Sequence, residues 1–181
     1  MLPQYYNSIE VTHRDTGFSH KDNSYSVNSA RKEALISFAR SYLYEEVDTA
    51  AFENSPVFIA DLELCRMVIM NDSNYPWFIL VPRRNNIKEL YQLTKEDRSQ
   101  LVSETDEIAK KLSNHFQATK MNIAALGNIV PQLHVHIIVR REKDATWPNP
   151  IWNGVPITFY NEKKLNTIVD DVKKLVSNDE L

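Results

Sequence analysis

Hydrophobic residues recur along the chain at two different spacings, and the longer spacing predicts three helices. The first covers residues 30–46, with Ser29 able to cap its start. The second begins at Thr94, where Asp97 completes an approximate capping box. Its mostly apolar stripe predicts that it covers one face of a sheet, and the stripe consists of Leu101, Thr105, Ile108, Ala109, Leu112 and Phe116. The third helix spans residues 162–177.

Five shorter apolar runs predict β-strands. They cover residues 56–60, 64–70, 77–81, 120–126 and 132–140. The turn-forming sequence NDSNYP between the second and third runs favours an antiparallel hairpin. The proline-rich stretch WPNPIWNGVP after the fifth run predicts irregular structure. Because the helices are grouped and do not alternate with the strands, the pattern predicts an α+β fold and not a doubly wound parallel sheet.

Composition narrows the classes of protein to which the chain can belong. A length of 181 residues fits one domain, and a net charge of −3 argues against a broad nucleic-acid groove. A small phosphate-bearing ligand is not excluded, because local basic clusters can act against the global charge. Cys65 is the single cysteine, which excludes a disulfide framework and a thiolate zinc site. Without a secretory signal or an apolar run of transmembrane length, we expect a cytoplasmic protein with no membrane partner.

Histidines alternate with apolar residues in the fifth predicted strand, QLHVHIIVR. Side chains on a strand alternate between its two faces. One face therefore suits a core under the second helix and carries Leu133, Val135, Ile137 and Val139. The opposite face carries Gln132, His134, His136, Ile138 and Arg140. Residues two apart on that face are close enough to act on one group of ligand atoms.

Two explanations of this polar face require no phosphate chemistry. The histidines can belong to a solvated outer face of the sheet. Alternatively, two histidines two apart on a strand can share a zinc ion, but that site needs a third ligand. The other histidines, His13, His20 and His115, show no recognisable ligand spacing, although an acidic ligand such as Asp61 remains possible.

A third explanation is nucleophilic catalysis at phosphorus. An imidazole nitrogen attacks phosphorus readily and forms a phosphoramidate that water can cleave. A second imidazole can protonate the leaving group, and nearby amides can hold phosphate oxygens without adding negative charge. The segment LGNIVPQLHVHII supplies these parts in Gly127, Asn128, Gln132 and the two histidines.

The same segment resembles the signature of the histidine triad (HIT) superfamily of nucleotide hydrolases and transferases, His-φ-His-φ-His-φ-φ with φ apolar. Here the signature stands as Gln132-Leu133-His134-Val135-His136-Ile137-Ile138. Gly127, the strand WFILVPRRN and the later WPNPIW also match the pattern of the superfamily, so the resemblance covers roughly residues 52–152. It is most similar to the bacterial diadenosine tetraphosphate hydrolase-like branch, which often has Gln in the first triad position.

The resemblance implies a HIT fold, with a five-stranded antiparallel sheet and helices packed on it. It places an N-terminal extension at residues 1–50 before a HIT domain at 51–181. His134 would be the nucleophile that becomes nucleotidylated, and His136 would contact the scissile phosphate and assist the leaving group. Gln132, in the first triad position, would be the remaining catalytic residue. Contacts to phosphate or ribose would come from Gly127, Asn128, Asn122 and Asn71.

The implied activity is cleavage at the α-phosphate of dinucleoside polyphosphates or nucleoside phosphoramidates through a nucleotidyl-histidine. The alternative is a non-catalytic nucleotide-binding or regulatory protein. The resemblance also implies a homodimer and no required metal, although Mg²⁺ can accompany a polyphosphate substrate. Two departures bear on rate and substrate: Gln132 replaces the first histidine, and Trp77 stands near where many members carry Gly-His.

Four arginines lie at the ends of predicted strands: Arg83, Arg84, Arg140 and Arg141. They are expected either to steer anionic substrates toward the histidines or to form a solvated part of the surface.

Overall fold

Five strands form one antiparallel sheet in the computed structural model, which describes residues 56–152 and 154–177. The strands are β1 (Val57–Asp61), β2 (Cys65–Ile69), β3 (Trp77–Pro82), β4 (Lys120–Ala124) and β5 (Val135–Arg140). Their order is β1-β2-β3-β5-β4, and every neighbouring pair is antiparallel. The predicted α+β architecture is confirmed. The helix predicted at 30–46 lies outside the described residues.

Two helices pack on one face of the sheet, α1 (Lys95–Phe116) and α2 (Glu162–Ser177). A short 3-10 turn, Leu90–Gln92, precedes α1. The hydroxyl of Thr94 accepts a hydrogen bond from the Asp97 N–H and so caps α1, as the sequence predicts. Farther along α1, the buried Glu104 carboxylate accepts the N–H groups of Leu64 and Cys65. These bonds fix α1 to the start of β2.

The main hydrophobic core lies between the sheet and the two helices. From β5 and the residues just before it, the core contains Leu133, Val135, Ile137 and Val139, which is the face predicted from the alternation. From α1 it contains Leu101, Ile108, Ala109 and Leu112, with Phe116 partly buried against them. The apolar stripe of the second predicted helix therefore meets the sheet as expected.

The opposite face of the sheet has a smaller apolar cluster, covered by the chain that follows β5. Its buried members are Val68, Met70, Tyr75, Trp77, Ile79, Val81, Ile138 and Ile151, with Trp152 and Val155 packed against them. This covering segment has no helix or strand between residues 141 and 152, as its prolines predict. Both faces of the sheet centre are consequently shielded from water.

The fifth strand begins three residues later than predicted, at Val135 and not at Gln132. Pairing with β3 stops at Leu80 opposite Val135, and the chain before Val135 meets the loop that follows β3. There the N–H of Leu133 donates to the carbonyl of Ile87. His134 therefore lies just before the strand and His136 lies within it. In the part of the chain that the structure describes, no helix has the length and apolar character required to cross a membrane.

Candidate active site

His134 and His136 lie side by side on the face of the sheet opposite the helices. Their ring centroids are 4.8 Å apart, and the rings meet edge to face at 84°. Only 2% of His134 and 1% of His136 is exposed. His136 stands on the central part of the sheet, between Ile79 of β3 and Ala124 of β4. Rigid strands on both sides therefore fix the backbone that carries it.

The protonation of His134 follows from one hydrogen bond. Its Nδ1 lies 2.6 Å from the main-chain carbonyl oxygen of Gln132. A carbonyl oxygen can only accept, so Nδ1 carries the proton, and in the neutral ring Nε2 carries the free electron pair. Nε2 is buried, and no hydrogen-bond partner for it occurs among the described residues. Leaving a buried polar atom unpaired costs about 1–3 kcal/mol in stability, so this nitrogen is a candidate functional atom.

In His136 the other ring nitrogen carries the proton. The indole Nε1–H of Trp77 donates to its Nδ1 at 3.0 Å. Because an indole N–H can only donate, Nδ1 of His136 must be the acceptor, and the proton of the neutral ring sits on Nε2. A second indole, that of Trp152, packs edge-on against the same imidazole at 5.7 Å between centroids.

Burial lowers the pKa of both histidines. Loss of hydration disfavours the imidazolium of His134 and outweighs the carbonyls of Gln132 and Leu126, which favour it. Burial, followed by repulsion from His134, lowers the pKa of His136 to about 3, again against the Leu126 carbonyl. Both rings are therefore neutral at physiological pH, and a neutral imidazole has the lone pair that attack on phosphorus requires.

The loop before the histidines brings Gly127 against His134. A Cβ atom added to Gly127 would lie 3.8 Å from Cε1 of His134 and only 3.0 Å from the carbonyl oxygen of Val130. A larger residue would therefore need the carbonyl of Val130 to shift by a few tenths of an ångström. Asn128 is exposed in the same loop. Gly127 and Asn128 thus belong to the segment beside the imidazole, although their contacts to a substrate stay a prediction.

Gln132 reaches His134 through its backbone and not through its side chain. The carbonyl oxygen of Gln132 receives the Nδ1–H of His134, whereas its side-chain Nε2–H donates to the carbonyl of Arg84 at 3.1 Å. Any residue would offer the same carbonyl. The catalytic role predicted for the amide stays a prediction, but orientation of His134 does not depend on that amide.

The two remaining asparagines have their side-chain oxygens engaged within the fold. Oδ1 of Asn122, on β4, accepts from the guanidinium of Arg140 at 2.6 Å. Oδ1 of Asn71, in the β2–β3 hairpin, accepts the N–H of Tyr160 at 3.0 Å. These bonds give each asparagine a structural task. A contact of either one to substrate stays a prediction.

Arg140 was expected either to steer anionic substrates or to belong to the solvated surface. It fits neither expectation, because it is only 1% exposed. It forms an ion pair with Asp144 and also donates to the carbonyl of Asn149. The alternation that buries His136 also buries Arg140, two positions beyond Ile138. Arg84 pairs with Asp97, and Arg141 donates to the carbonyl of Phe116. Arg84 and Arg141 are both exposed, which fits the predicted solvated surface, and a steering role for them stays a prediction.

Sequence reasoning named Trp77 as a departure from the HIT pattern but missed its hydrogen bond to His136. A signal was present: if Phe78 and Leu80 face the core, alternation puts Trp77 on the histidine face. Trp152 gave no comparable signal, because it follows a cluster of prolines whose path cannot be derived from periodicity. Among residues 56–152 and 154–177, no group of three or more His, Cys, Asp or Glu side chains is arranged to hold a metal ion.

A family model and several solved structures match this chain, and all of them are of histidine triad proteins. Residues 51–143 match the family model of the HIT domain. A histidine triad protein from Sinorhizobium meliloti has 41% identity over 71% of this chain and 95% of its own, with a TM-score of 0.65. One from Bradyrhizobium japonicum has 35% identity over 72% and 97%, with a TM-score of 0.66. One from Marinobacter aquaeolei has 38% identity over 66% and 88%, with a TM-score of 0.65. No curated protein matches the chain.

Proposed function

The chain belongs to the HIT family, and from that membership we propose that it hydrolyses or transfers a nucleoside monophosphoryl group through an adduct on His134. HIT proteins are generally nucleotide hydrolases or transferases, so membership itself suggests activity on nucleotides. The attacking residue and the substrate are the further content of the proposal.

Support comes above all from Nε2 of His134, a buried nitrogen without a hydrogen-bond partner among the described residues. The bond from Nδ1–H to the Gln132 carbonyl keeps the lone pair on this nitrogen. The same carbonyl stabilises the positive charge that develops on the ring when Nε2 forms a bond to phosphorus. A structural histidine would gain nothing from such an arrangement.

The reaction proceeds in two balanced steps. Nε2 of His134 attacks the α-phosphorus, the bond from phosphorus to the leaving group breaks, and the leaving group departs with the electron pair. The product on the enzyme is a nucleotidyl-imidazolium that still carries its Nδ1 proton. Water then attacks the same phosphorus, the P–N bond breaks, and His134 returns to the neutral form as the proton of the water passes to solvent. An alcohol or a phosphate in place of water gives transfer.

His136 contributes the Nε2–H that faces away from Trp77. That group donates a hydrogen bond to a non-bridging or leaving oxygen of the phosphoryl centre, where negative charge accumulates. Nε2 of His134 is buried, and the loop that carries Gly127 lies beside its imidazole. In this proposal Gly127, Asn128, Asn122 and Asn71 supply the contacts to phosphate or ribose.

The substrates that we propose are dinucleoside polyphosphates, with diadenosine tetraphosphate as the first choice, or nucleoside phosphoramidates. No metal is required in this scheme, and Mg²⁺ enters only with a polyphosphate. We also propose a cytoplasmic homodimer. Among the described strands β4 ends the sheet order, and it exposes Ile123 (47%), so its outer edge is the surface that we propose for a second copy. Size-exclusion chromatography with light scattering tests the dimer.

The decisive assay measures AMP or GMP release from a panel of adenosine and guanosine polyphosphates and phosphoramidates, with and without EDTA. The proposal expects release from at least one substrate, and loss of that release in His134→Ala. Binding without release would instead favour the alternative of a regulatory nucleotide-binding protein. The replacement of the first triad histidine by Gln132 is the observation on which that alternative rests. Such a binder would raise its melting temperature with nucleotide and yield no product.

A further inference from the structure

The Trp77–His136 hydrogen bond has a consequence for the substrate that the site accepts. To act as a general acid, an imidazole must carry protons on both nitrogens before it gives one away. In His136 the second proton would have to sit on Nδ1, the atom that receives the Trp77 N–H at 3.0 Å. Two donor hydrogens would then face each other inside a buried site. The imidazolium of His136 is therefore opposed by geometry as well as by loss of hydration.

We propose that Trp77 is a positioning residue that holds His136 as a neutral Nε2–H donor, and that the site consequently prefers substrates whose leaving group departs as an anion. This inference rests on the proposed function and deepens it, because it selects between the two proposed substrate classes. Nucleoside polyphosphates have the required leaving group, and nucleoside phosphoramidates do not.

The chemical balance explains the preference. When His134 attacks a polyphosphate, the P–O bond breaks and the leaving phosphate chain keeps the electron pair as a stable anion. No proton has to be supplied. When His134 attacks a phosphoramidate, the P–N bond breaks, and the departing nitrogen needs a proton from an acid to leave as a neutral amine. A neutral His136 can stabilise charge with its Nε2–H, but it cannot supply that proton.

Within residues 56–152 and 154–177, no charge near His136 would reverse this state. On one side of its strand, Ile79 and Trp77 of β3 face the ring, and on the other Ala124 of β4 lies opposite. The covering segment contributes Trp152, and the preceding loop contributes the Leu126 carbonyl, which alone favours a protonated ring. The titratable neighbour is His134, and its repulsion opposes a second positive charge.

The first test replaces Trp77 by Phe, which keeps an aromatic ring and removes the N–H. Trp152→Phe is the matched control, since that indole also packs on His136 and donates no recorded bond to it. kcat/KM is measured from pH 5 to 8 with diadenosine tetraphosphate and with adenosine 5′-phosphoramidate. Wild type should prefer the polyphosphate throughout. In Trp77→Phe the relative rate of the phosphoramidate should rise about tenfold at the acidic end, because Nδ1 is free to take a proton. Trp152→Phe should keep the wild-type ratio.

An unchanged ratio in Trp77→Phe at every pH would overturn the inference, as would a wild-type preference for the phosphoramidate. The second test needs neither substrate nor variant folding. Long-range ¹H–¹⁵N NMR of the histidines in the full-length wild-type chain should show His136 protonated on Nε2 alone down to pH 5. A proton on Nδ1 at pH 6 would contradict the role of Trp77 even if AMP is released. Absence of AMP release from every substrate would refute the proposed function and the substrate preference, while the NMR result still decides the state of His136.

Discussion

Arg140 and His134 are buried almost equally on the same side of one chain segment, yet the fold treats them in opposite ways. Arg140 is 1% exposed, and its guanidinium donates to Asp144, Asn122 and the Asn149 carbonyl. The rings of Tyr75 and Trp147 flank it within 6 Å. His134 is 2% exposed and has an imidazole nitrogen with no recorded partner among the described residues. The polar face therefore has two parts: at one end Arg140 makes its hydrogen bonds within the fold, and at the other end His134 keeps a ring nitrogen without a partner among the described residues.

The difference shows how burial alone misleads. A buried charge with complete hydrogen bonding holds the surrounding loops in place, and removing it leaves its partners unpaired. A buried neutral nitrogen without a partner is a defect for stability, and retaining it makes physical sense if a ligand later fills the position. Substitution of Arg140 should consequently lower mainly the free energy of unfolding, and substitution of His134 should lower mainly the catalytic activity.

The largest expected effect is on activity in His134→Ala. This change removes the attacking atom and little of the pocket, so AMP release should fall by several orders of magnitude. The free energy of unfolding should fall less than in Arg140→Ala, because the imidazole loses one hydrogen bond, from Nδ1–H to the Gln132 carbonyl, and its Nε2 has no partner among the described residues. The measurement is kcat/KM beside a urea denaturation curve. More than about a tenth of wild-type activity would remove His134 from the nucleophile role.

The next largest effect is on stability in Arg140→Ala, which leaves Asp144 and Asn122 without their buried partner. We expect a loss of about 3–5 kcal/mol in the free energy of unfolding. Arg66→Ala is a matched control, because Arg66 makes the same two-bond contact to Asp61 with both side chains more than a third exposed. The free energy of unfolding of Arg66→Ala should fall by at most about 1 kcal/mol. Equal losses in the two variants would mean that burial does not distinguish the arginines.

The dependence of the free energy of unfolding on pH should also reveal the buried neutral histidines. The folded pKa of His136 lies near 3, well below the value of about 6.5 in an unfolded chain. Between these values the unfolded state binds more protons, so stability is complete above pH 6.5 and falls as the pH drops. From pH 6.5 to 5 the loss from His136 is about 2 kcal/mol. The lowered pKa of His134 acts in the same direction.

The variant His136→Gln should show a shallower acid dependence than wild type in denaturation curves recorded across this range. If the two proteins lose stability in parallel between pH 6.5 and 5, then His136 is not the buried neutral group inferred from its surroundings.

The smallest effect concerns Gln132. Its side chain bonds the Arg84 carbonyl, while its main chain orients His134. Gln132→Ala keeps that carbonyl, so kcat/KM should fall by about tenfold at most, the equivalent of one ordinary hydrogen bond. Gln132→His should be tolerated. A loss beyond about a hundredfold in Gln132→Ala would show that the amide acts on the reacting atoms.

Alternation and helical periodicity made much of this fold predictable. Leu133, Val135 and Ile137 face the helices because a period of two fixes which side chains meet a covered face. The predicted start of β5 was wrong because its pairing with β3 stops at Leu80 opposite Val135, and its pairing with β4 stops at Ala124 opposite His136. A single strand's own sequence does not contain that information.

The pair of histidines was predictable as a site, but its electronic state was not. Which nitrogen of His136 carries the proton depends on Trp77, which is 59 residues away along the chain. The burial of Arg140 depends on Asp144, Asn149 and the irregular segment that follows. Such contacts arise from the paths of loops, and periodic patterns give no account of loops.

The central claim, that Nε2 of His134 is the atom left free for chemistry, can be tested by trapping the adduct. The wild-type protein is mixed with diadenosine tetraphosphate, quenched at a neutral to alkaline pH that preserves P–N bonds, and digested for mass spectrometry. The account predicts one peptide heavier by a single adenylyl group, with the added mass on His134 and none on His136, and no such peptide in His134→Ala. Turnover with the adenylyl group on His136, or an adduct that persists in His134→Ala, would contradict it.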